Sequence, residues 1–533
     1  MSAKLKKEHS VITLLTLAVF VLAFLLSGRI WFRLDLTQSK MYSVSEVTQN
    51  LYREMSDELR ITYFVSDRLA LSHPAPRSIA DLIKEYAAHS RSRIRFTQRD
   101  PVKAGVHQYI EELGIFPWHI QIIENNEMVT ASVYSGILIE YLDRHDVIPL
   151  VFSLETLEYN LSSRLRSLVR NESREVGIII ADIDKQWEND FTLFARELFF
   201  SGFKERLIIL GEEIPDSLPA LFIFGGAEDL EDHHLQRIDT YIQNGGRALF
   251  AVDGIFVDAR ETLDAWALEG NGLFAMLANY GVIVHSALVL DSEALTLPSR
   301  SQIYPHWISV QREGINPLHR VTESLARVDL YWASPLELVH PATVEADVLL
   351  STSSEAWLQT DNFITNPDDP ALYDLALYDH ADSQRQNETP SSPMVLAAAL
   401  SGFFPSAFAH YTMDENTDQM PEQNHPSRTS RIIVVGNSSF ATDIMQLGQS
   451  EASNLDFLIR SAQWLSGNED LLTIRARQLP QSLDAIVDHE QRLFAMTFSR
   501  VVNTVLMPLA VALTGFIVLV RRSRKLRRGK HEL

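Results

Sequence analysis

Two uncharged apolar runs, one near each end, constrain this chain more than anything between them. Val11 to Gly28 ends at Arg29, and Val501 to Val520 is closed at once by Arg521 and Arg522. Each has the length an α-helix needs to cross a hydrocarbon core of about 30 Å. The expectation is therefore two transmembrane helices, at 10–30 and 501–520, flanking a middle that is soluble in character. A cleaved signal peptide is the alternative for the first run. The run is longer than a usual signal core, Ser27-Gly28-Arg29 is a poor small-x-small site, and no Cys is present for lipid attachment. An uncleaved anchor is the preferred reading.

Charge gives the expected orientation. The chain of 533 residues has 47 Lys and Arg against 69 Asp and Glu. The first nine residues carry Lys4, Lys6, Lys7 and Glu8, and the last thirteen carry seven basic residues and Glu532. Between the tails, 37 basic residues face 67 acidic ones. Basic flanks are retained on the cytoplasmic side. Tails 1–9 and 521–533 are thus expected in the cytoplasm, with two spans in a bacterial inner membrane and an acidic periplasmic middle. Such a surface repels phosphate backbones, which excludes nucleic acid as a partner. The absence of Cys excludes disulfides, thiolate metal sites and a Cys nucleophile. No Gly-x4-Gly-Lys-Ser/Thr occurs, so the chain has no P-loop for ATP hydrolysis.

The middle divides by pattern. Residues 31–172 read as an N-terminal α/β domain, with strand alternation at Ile61, Tyr63 and Val65 and helical spacing from Ile79 to His89 and from Leu154 to Val169. Residues 173–365 alternate apolar strands (Val176 to Ala181, Leu221 to Phe224, Ala248 to Val252) with helices. That alternation predicts a doubly wound parallel sheet with strands buried on both faces. Residues 366–430 are polar loops around a central strand at Met394 to Leu400, 431–480 return to the α/β domain, and 481–500 form a juxtamembrane helix.

Ligands of open parallel sheets bind beyond the carboxyl ends of the strands. Those ends carry Asp182, Asp184, Gly225, Gly226, Asp253, Asn437 and Ser438. One reading is a polar ligand cleft; the other is that Gly and Asp make βα turns and cap helices. Gly270-Asn-Gly272 follows no apolar strand and reads as a loop, and Gly436-Asn-Ser-Ser lacks the second glycine of a nucleophile elbow. Asp232-His233-His234 reads as a solvated helix start, because adjacent helical side chains diverge. No catalytic residue, metal site or cofactor is assigned. Asn503, Thr504, Pro508 and Thr514 inside the second apolar run either mark helix–helix packing or bond within their own helix.

Several segments in order resemble a known family. They are Arg33-x-Asp35-Leu36-Thr37 through Lys40-x-Tyr42-Ser43, Asp81-Leu-Ile-x-Glu85-Tyr86, Asp100-Pro101, Glu155-x-x-Glu158-Tyr159, Tyr241 through Gly245-Gly246-Arg247, and Trp464-Leu465. The chain resembles the GldG-like auxiliary component of an uncharacterised ABC transport system, a gliding-motility-associated family. The family often has Gly-Asp-Ser where this chain has Gly436-Asn437-Ser438. The resemblance implies a non-catalytic, membrane-anchored partner of a separate ABC ATPase and permease. Its extracytoplasmic domain would recognise a substrate or an envelope glycan or protein, or couple mechanically. It also implies that the parallel sheet is flavodoxin/amidotransferase-like, and it makes Asn503 to Thr514 the expected permease interface. Two alternatives stand beside it: an extracytoplasmic hydrolase or glycan-binding protein using the acidic strand ends, and a purely structural envelope tether.

Overall fold

A computed structural model describes residues 44–478 apart from 91, 125–126, 155, 183, 227, 269–270, 299–301, 373–392, 409–427 and 449–450. All of these belong to one compact unit that ends at Gln478. Helix α1 (Glu46–Glu54) starts where the Ser45 hydroxyl accepts the Thr48 N–H at 3.2 Å, satisfying one of the donors that a helix start leaves open. Strand β1 (Leu59–Val65) follows, then helix α2 (Ala75–His89), β2 (Ile94–Arg99), the hairpin pair β3 (Ser135–Tyr141) and β4 (Arg144–Ile148), and helix α3 (Leu157–Arg170). The four strands form one sheet in the order β2-β1-β3-β4, parallel only between β1 and β2.

Period-2 alternation decides what this sheet buries. Leu59, Ile61, Tyr63 and Val65 point to one face and pack with Ile79, Ile83 and Tyr86 of α2 and Leu157, Leu161 and Leu165 of α3. Arg60 and Thr62 point the other way and stay accessible. Several polar residues of α3 are buried too, among them Glu158, Ser162 and Arg164. Glu158 accepts the Ser45 N–H at 2.7 Å and the Thr48 hydroxyl at 3.0 Å, and Ser162 lies 3.1 Å from the Tyr86 hydroxyl. The resemblance motifs around Tyr86 and Glu158 thus fasten α1 and α2 to α3. Arg164, fully buried, donates to the carbonyls of Val147 (2.7 Å) and Phe200 (3.1 Å), and burial lowers its guanidinium to about 10.

The larger sheet contains β5 (Glu175–Ala181), β6 (Lys204–Leu207), β7 (Ala220–Gly225), β8 (Arg247–Ala251), β9 (Val282–Val284), β10 (Leu336–Leu338), β11 (Val344–Ser351), β12 (Val395–Gly402) and β13 (Ser430–Val435). Their order is β9-β10-β12-β13-β8-β7-β5-β6, with β11 paired to β12. Every residue of β7 is buried. On one side Ile178, Phe222, Leu249 and Ile433 pack with helices α4 (Thr192–Ser201) and α7 (Glu451–Leu465). On the other, Ile179, Ile223, Phe250 and Val434 pack with α5 (Asp232–Gln243) and α6 (Asn271–Tyr280).

The fold expectation is corrected in two respects. The sheet is mixed: β6, β5, β7, β8 and β13 are parallel neighbours, whereas β12 runs antiparallel to β13 and to β11, and β9 antiparallel to β10. Parallel neighbours need a crossover, usually helical, and the described residues between Val284 and Ser351 form no α-helix. In addition, no helix among the described residues is long and apolar enough to cross a membrane. The longest, α2 and α7, have 15 residues, against about 20 for a span, and their apolar faces close over the sheets. The segments 10–30 and 501–520, the tails, and the helix expected at 481–500 lie outside the described residues. A fold class with terminal transmembrane helices, and a two-span inner-membrane location with cytoplasmic termini and a periplasmic domain, are therefore not supported. What stands is a mixed α/β fold.

Candidate functional site at the strand ends

From β6 at the edge the chain returns across β5 to β7, so the strand order reverses between β5 and β7. The carboxyl ends there form the place where helices diverge and a crevice opens. β5 runs into Asp182. β7 turns at Gly225 and Gly226, with φ of +79° and +106°. A Cβ on Gly225 would come within 2.6 Å of the Ala181 carbonyl oxygen, so only glycine lets this turn lie against the end of β5. β8 leads to Asp253, and β13 to Gly436, Asn437 and Ser438.

Four of these side chains meet. The Asp253 carboxylate accepts the Ser438 N–H at 2.8 Å, the Asn437 amide at 3.2 Å and the Ser438 hydroxyl. Asn437 clamps the backbone of Tyr331, donating to its carbonyl at 2.6 Å and accepting its N–H at 3.0 Å. Lys185 enters from the β5 loop. Its ammonium donates to Asp182 at 2.6 Å and to the Ser438 hydroxyl at 2.7 Å, and lies 3.9 Å from Asp253. Burial alone would lower the Lys185 ammonium, but Asp253 and Asp182 more than offset it and hold the group above the ordinary lysine value. Asn437 and Ser438 are fully buried.

Above this cluster lies a cleft of about 570 Å³, roofed by the hairpin Ile255–Val257/Ala265–Ala267. Trp266 lies on Phe256 with ring centroids 4.5 Å apart and keeps 46% of its surface exposed. The walls include Asp184, Asp190, Glu228, Asp258, Glu261 and Asp443. Asp443 caps α4, accepting the N–H groups of Thr192 (3.2 Å) and Leu193 (2.9 Å). Arg260 donates to Asp190 at 2.9 Å. Both lining cations, Lys185 and Arg260, thus have carboxylate partners, and the cleft surface is acidic.

The residues named from sequence fall into three groups. Asp182, Asp253, Asn437 and Ser438 converge. Gly225 and Gly226 shape the turn and do not line the cleft, while Asp184 is exposed on its rim. Asn503, Thr504, Pro508 and Thr514 lie outside the described residues. Sequence reasoning missed Lys185, whose only signal is a lone basic residue three positions beyond an acidic strand end. Trp266 and Phe256, two residues in separate short strands, had no motif to mark them. At the start of α5, His234 forms a capping box with Glu231, and His233 lies 3.3 Å from the Glu231 carboxylate. Among the described residues no group of three or more His, Asp or Glu side chains is placed to hold a metal.

The arrangement does not present Ser438 as an activated nucleophile. A lysine serves a serine nucleophile as general base only when neutral, and Lys185 is held protonated between two carboxylates. The Ser438 hydroxyl is moreover buried and already donates to Asp253.

Comparison with known proteins gives the wider context. Residues 38–140 match a domain of unknown function, DUF7088. An uncharacterized protein of Borreliella burgdorferi is 24% identical over 528 residues, covering 97% of this chain and 99% of that protein. Among solved structures, the mmIFT52 N-terminal domain aligns at 12% identity with a TM-score of 0.32, over 55% of this chain and 96% of that one. The exo-beta-1,4-mannosidase Op5Man5 from Opitutaceae bacterium strain TAV5 aligns at 10% identity with a TM-score of 0.25, over 73% and 49%. Similarity of that size assigns neither fold nor function. Residues 174–472, which contain the whole strand-end site, match the family described as an ABC-type uncharacterized transport system (ABC_transp_aux), and the chain belongs to that family of auxiliary transport components.

Proposed function

We propose that the chain is a non-catalytic auxiliary subunit that recognises a ligand at the strand-end cleft and works beside a separate ABC ATPase and permease. The observation that carries the reading is the Lys185 cluster: its ammonium ties Asp182 to Ser438 and faces Asp253, leaving a rigid acidic floor without an activated nucleophile. An acidic cleft with an exposed indole favours cationic or polyhydroxylated ligands, which stack on aromatic faces and meet carboxylates with donors. The absence of a P-loop motif supports a separate source of ATP hydrolysis. The ordered motifs that resemble the GldG-like branch support the same placement.

Affinity purification of the tagged chain from mild-detergent extracts of its native host is expected to recover an ABC ATPase and a permease together. Repeated recovery of the chain alone would end the proposal. A second reading, glycan binding without hydrolysis, is favoured by the Trp266–Phe256 stack. Saturable quenching of Trp fluorescence by an oligosaccharide, lost in Trp266→Phe, would select it over a cationic ligand.

A further inference from the structure

The open face of the small sheet carries a second site, chemically opposite to the cleft. Arg60 of β1 lies directly beside Arg95 of β2, Thr62 beside Thr97, and Phe64 beside Arg99. Alternation puts all six on the face away from the core of α2 and α3. Arg60, Arg95 and Arg99 are exposed, and none has an ion-pair partner among the described residues, in a chain where 69 acidic residues outnumber 47 basic ones. Like charges directly opposite on neighbouring strands destabilise a sheet. Nothing in the fold of this region requires arginine at either position.

The face is concave. The turn and helix from Val106 to Tyr109 wall it on one side, making a groove of about 370 Å³ lined by the three arginines, Thr62 and Thr97. The two threonine hydroxyls, 3.0 Å apart, sit between the Arg60–Arg95 row and Arg99. Arg95 and Arg99 are four residues apart, about 13 Å along a strand. Tyr109, 52% exposed, offers a ring at the wall. Glu140, the register neighbour of Arg60 on β3, is the one acidic residue lining the groove, and it forms no ion pair with Arg60.

We propose that this groove binds a phosphoryl-bearing anion. One charged group is held between Arg60 and Arg95, whose planar guanidinium groups match phosphate oxygens in paired hydrogen bonds. Thr62 and Thr97 supply hydroxyl donors, and Arg99 meets a second anionic group farther along the strand. Bound anion relieves the Arg60–Arg95 repulsion. The site is independent of the strand-end cleft, since no residue is shared.

Calorimetry of the full chain with inorganic pyrophosphate and tripolyphosphate tests the proposal, with flotation on phosphatidylglycerol and phosphatidylcholine vesicles run in parallel. Saturable binding is expected that weakens with salt and falls at least about tenfold in Arg60→Gln/Arg95→Gln. Arg206→Gln, remote on β6 beside Glu175, is expected to bind as the parent does, and Glu140→Gln is expected to bind more tightly. Binding of the free polyphosphates alone identifies a soluble ligand. Binding of phosphatidylglycerol vesicles alone, lost in the double variant, identifies a lipid headgroup. The double variant should not melt below the parent, because it removes a pair of adjacent like charges. Arg99→Gln serves as a separate single-site variant. Failure of both probes to bind, or binding unchanged in the double variant and in Arg99→Gln, would overturn the site.

Discussion

The two sheets of this molecule solve the same packing problem differently. The four-stranded sheet is covered by α2 and α3 on one face and only partly on the other, so β1 alternates buried Leu59, Ile61 and Tyr63 with accessible Arg60 and Thr62. The nine-stranded sheet is covered on both faces, and β7 has no accessible residue at all. A sheet half open to water can carry polar chemistry along its face, as the arginine groove does. A sheet buried on both sides can carry it only where the strands stop, which is where Asp182, Asp253 and Ser438 sit. The positions of the two candidate sites, and their opposite charge, follow from this difference in cover.

Substitutions test the comparison. The largest effect is expected at Phe222→Ala in β7, whose ring is fully buried and stacked on Phe194 at 5.7 Å. It should lower unfolding free energy by about 4 kcal/mol in urea titrations; a loss near that of a surface change would mean the central sheet is not the stability core. Next comes His306, fully buried with Nε2 donating to the Ile364 carbonyl at 2.9 Å, its imidazole lowered to about 4 by burial. A histidine kept neutral in the fold but free to protonate when unfolded stabilises above its ordinary value of about 6.5. That contribution, about 3 kcal/mol, is lost as pH falls from about 6.5 towards 4. Urea midpoints across that window should drop less steeply in His306→Asn than in the parent.

Lys185→Met is expected to cost about 2 kcal/mol, less than a fully buried pair, because Asp182 and Asp253 keep 11% and 15% of their side chains exposed. Its raised ammonium gives stability that is complete below about pH 10 and lost as pH rises through the folded value. The parent should therefore lose stability at alkaline pH more than the variant does. Thr62→Ala, on the open face of the small sheet, should cost only about 0.5 kcal/mol. A cost like that of Phe222→Ala would show that this face is packed and not a groove.

Much of the strand-end site is legible in the sequence because strands buried on both faces announce themselves as continuous apolar runs. The polar residues just after such a run must lie at the end of a buried strand, and Asp182, Asp253, Asn437 and Ser438 all do. Lys185 escapes that logic. It lies in a loop, and its hydroxyl partner Ser438 is 253 residues away, on a strand that reaches it only through the order of the sheet. Arg60 and Arg95 escape for a related reason: alternation marks each as outward-facing, but their adjacency depends on the β1–β2 register. The terminal apolar runs show the reverse failure. Their length and flanking charge read as spans, yet the fold class and location built on them are not supported by any described helix.

By itself, the sequence marked the long buried strands and the amphipathic helices, the faces they bury and the polar residues that end those strands. These follow from local periodicity and the cost of burying unpaired polar groups. It also excluded a P-loop and thiol chemistry outright. Only the tertiary structure decided that β12 enters antiparallel, that Lys185 stands between Asp182 and Asp253, and that three arginines share one groove. Those are long-range pairings, set by which strands become neighbours once hydrophobic burial and loop connectivity are satisfied together, and no local pattern encodes them.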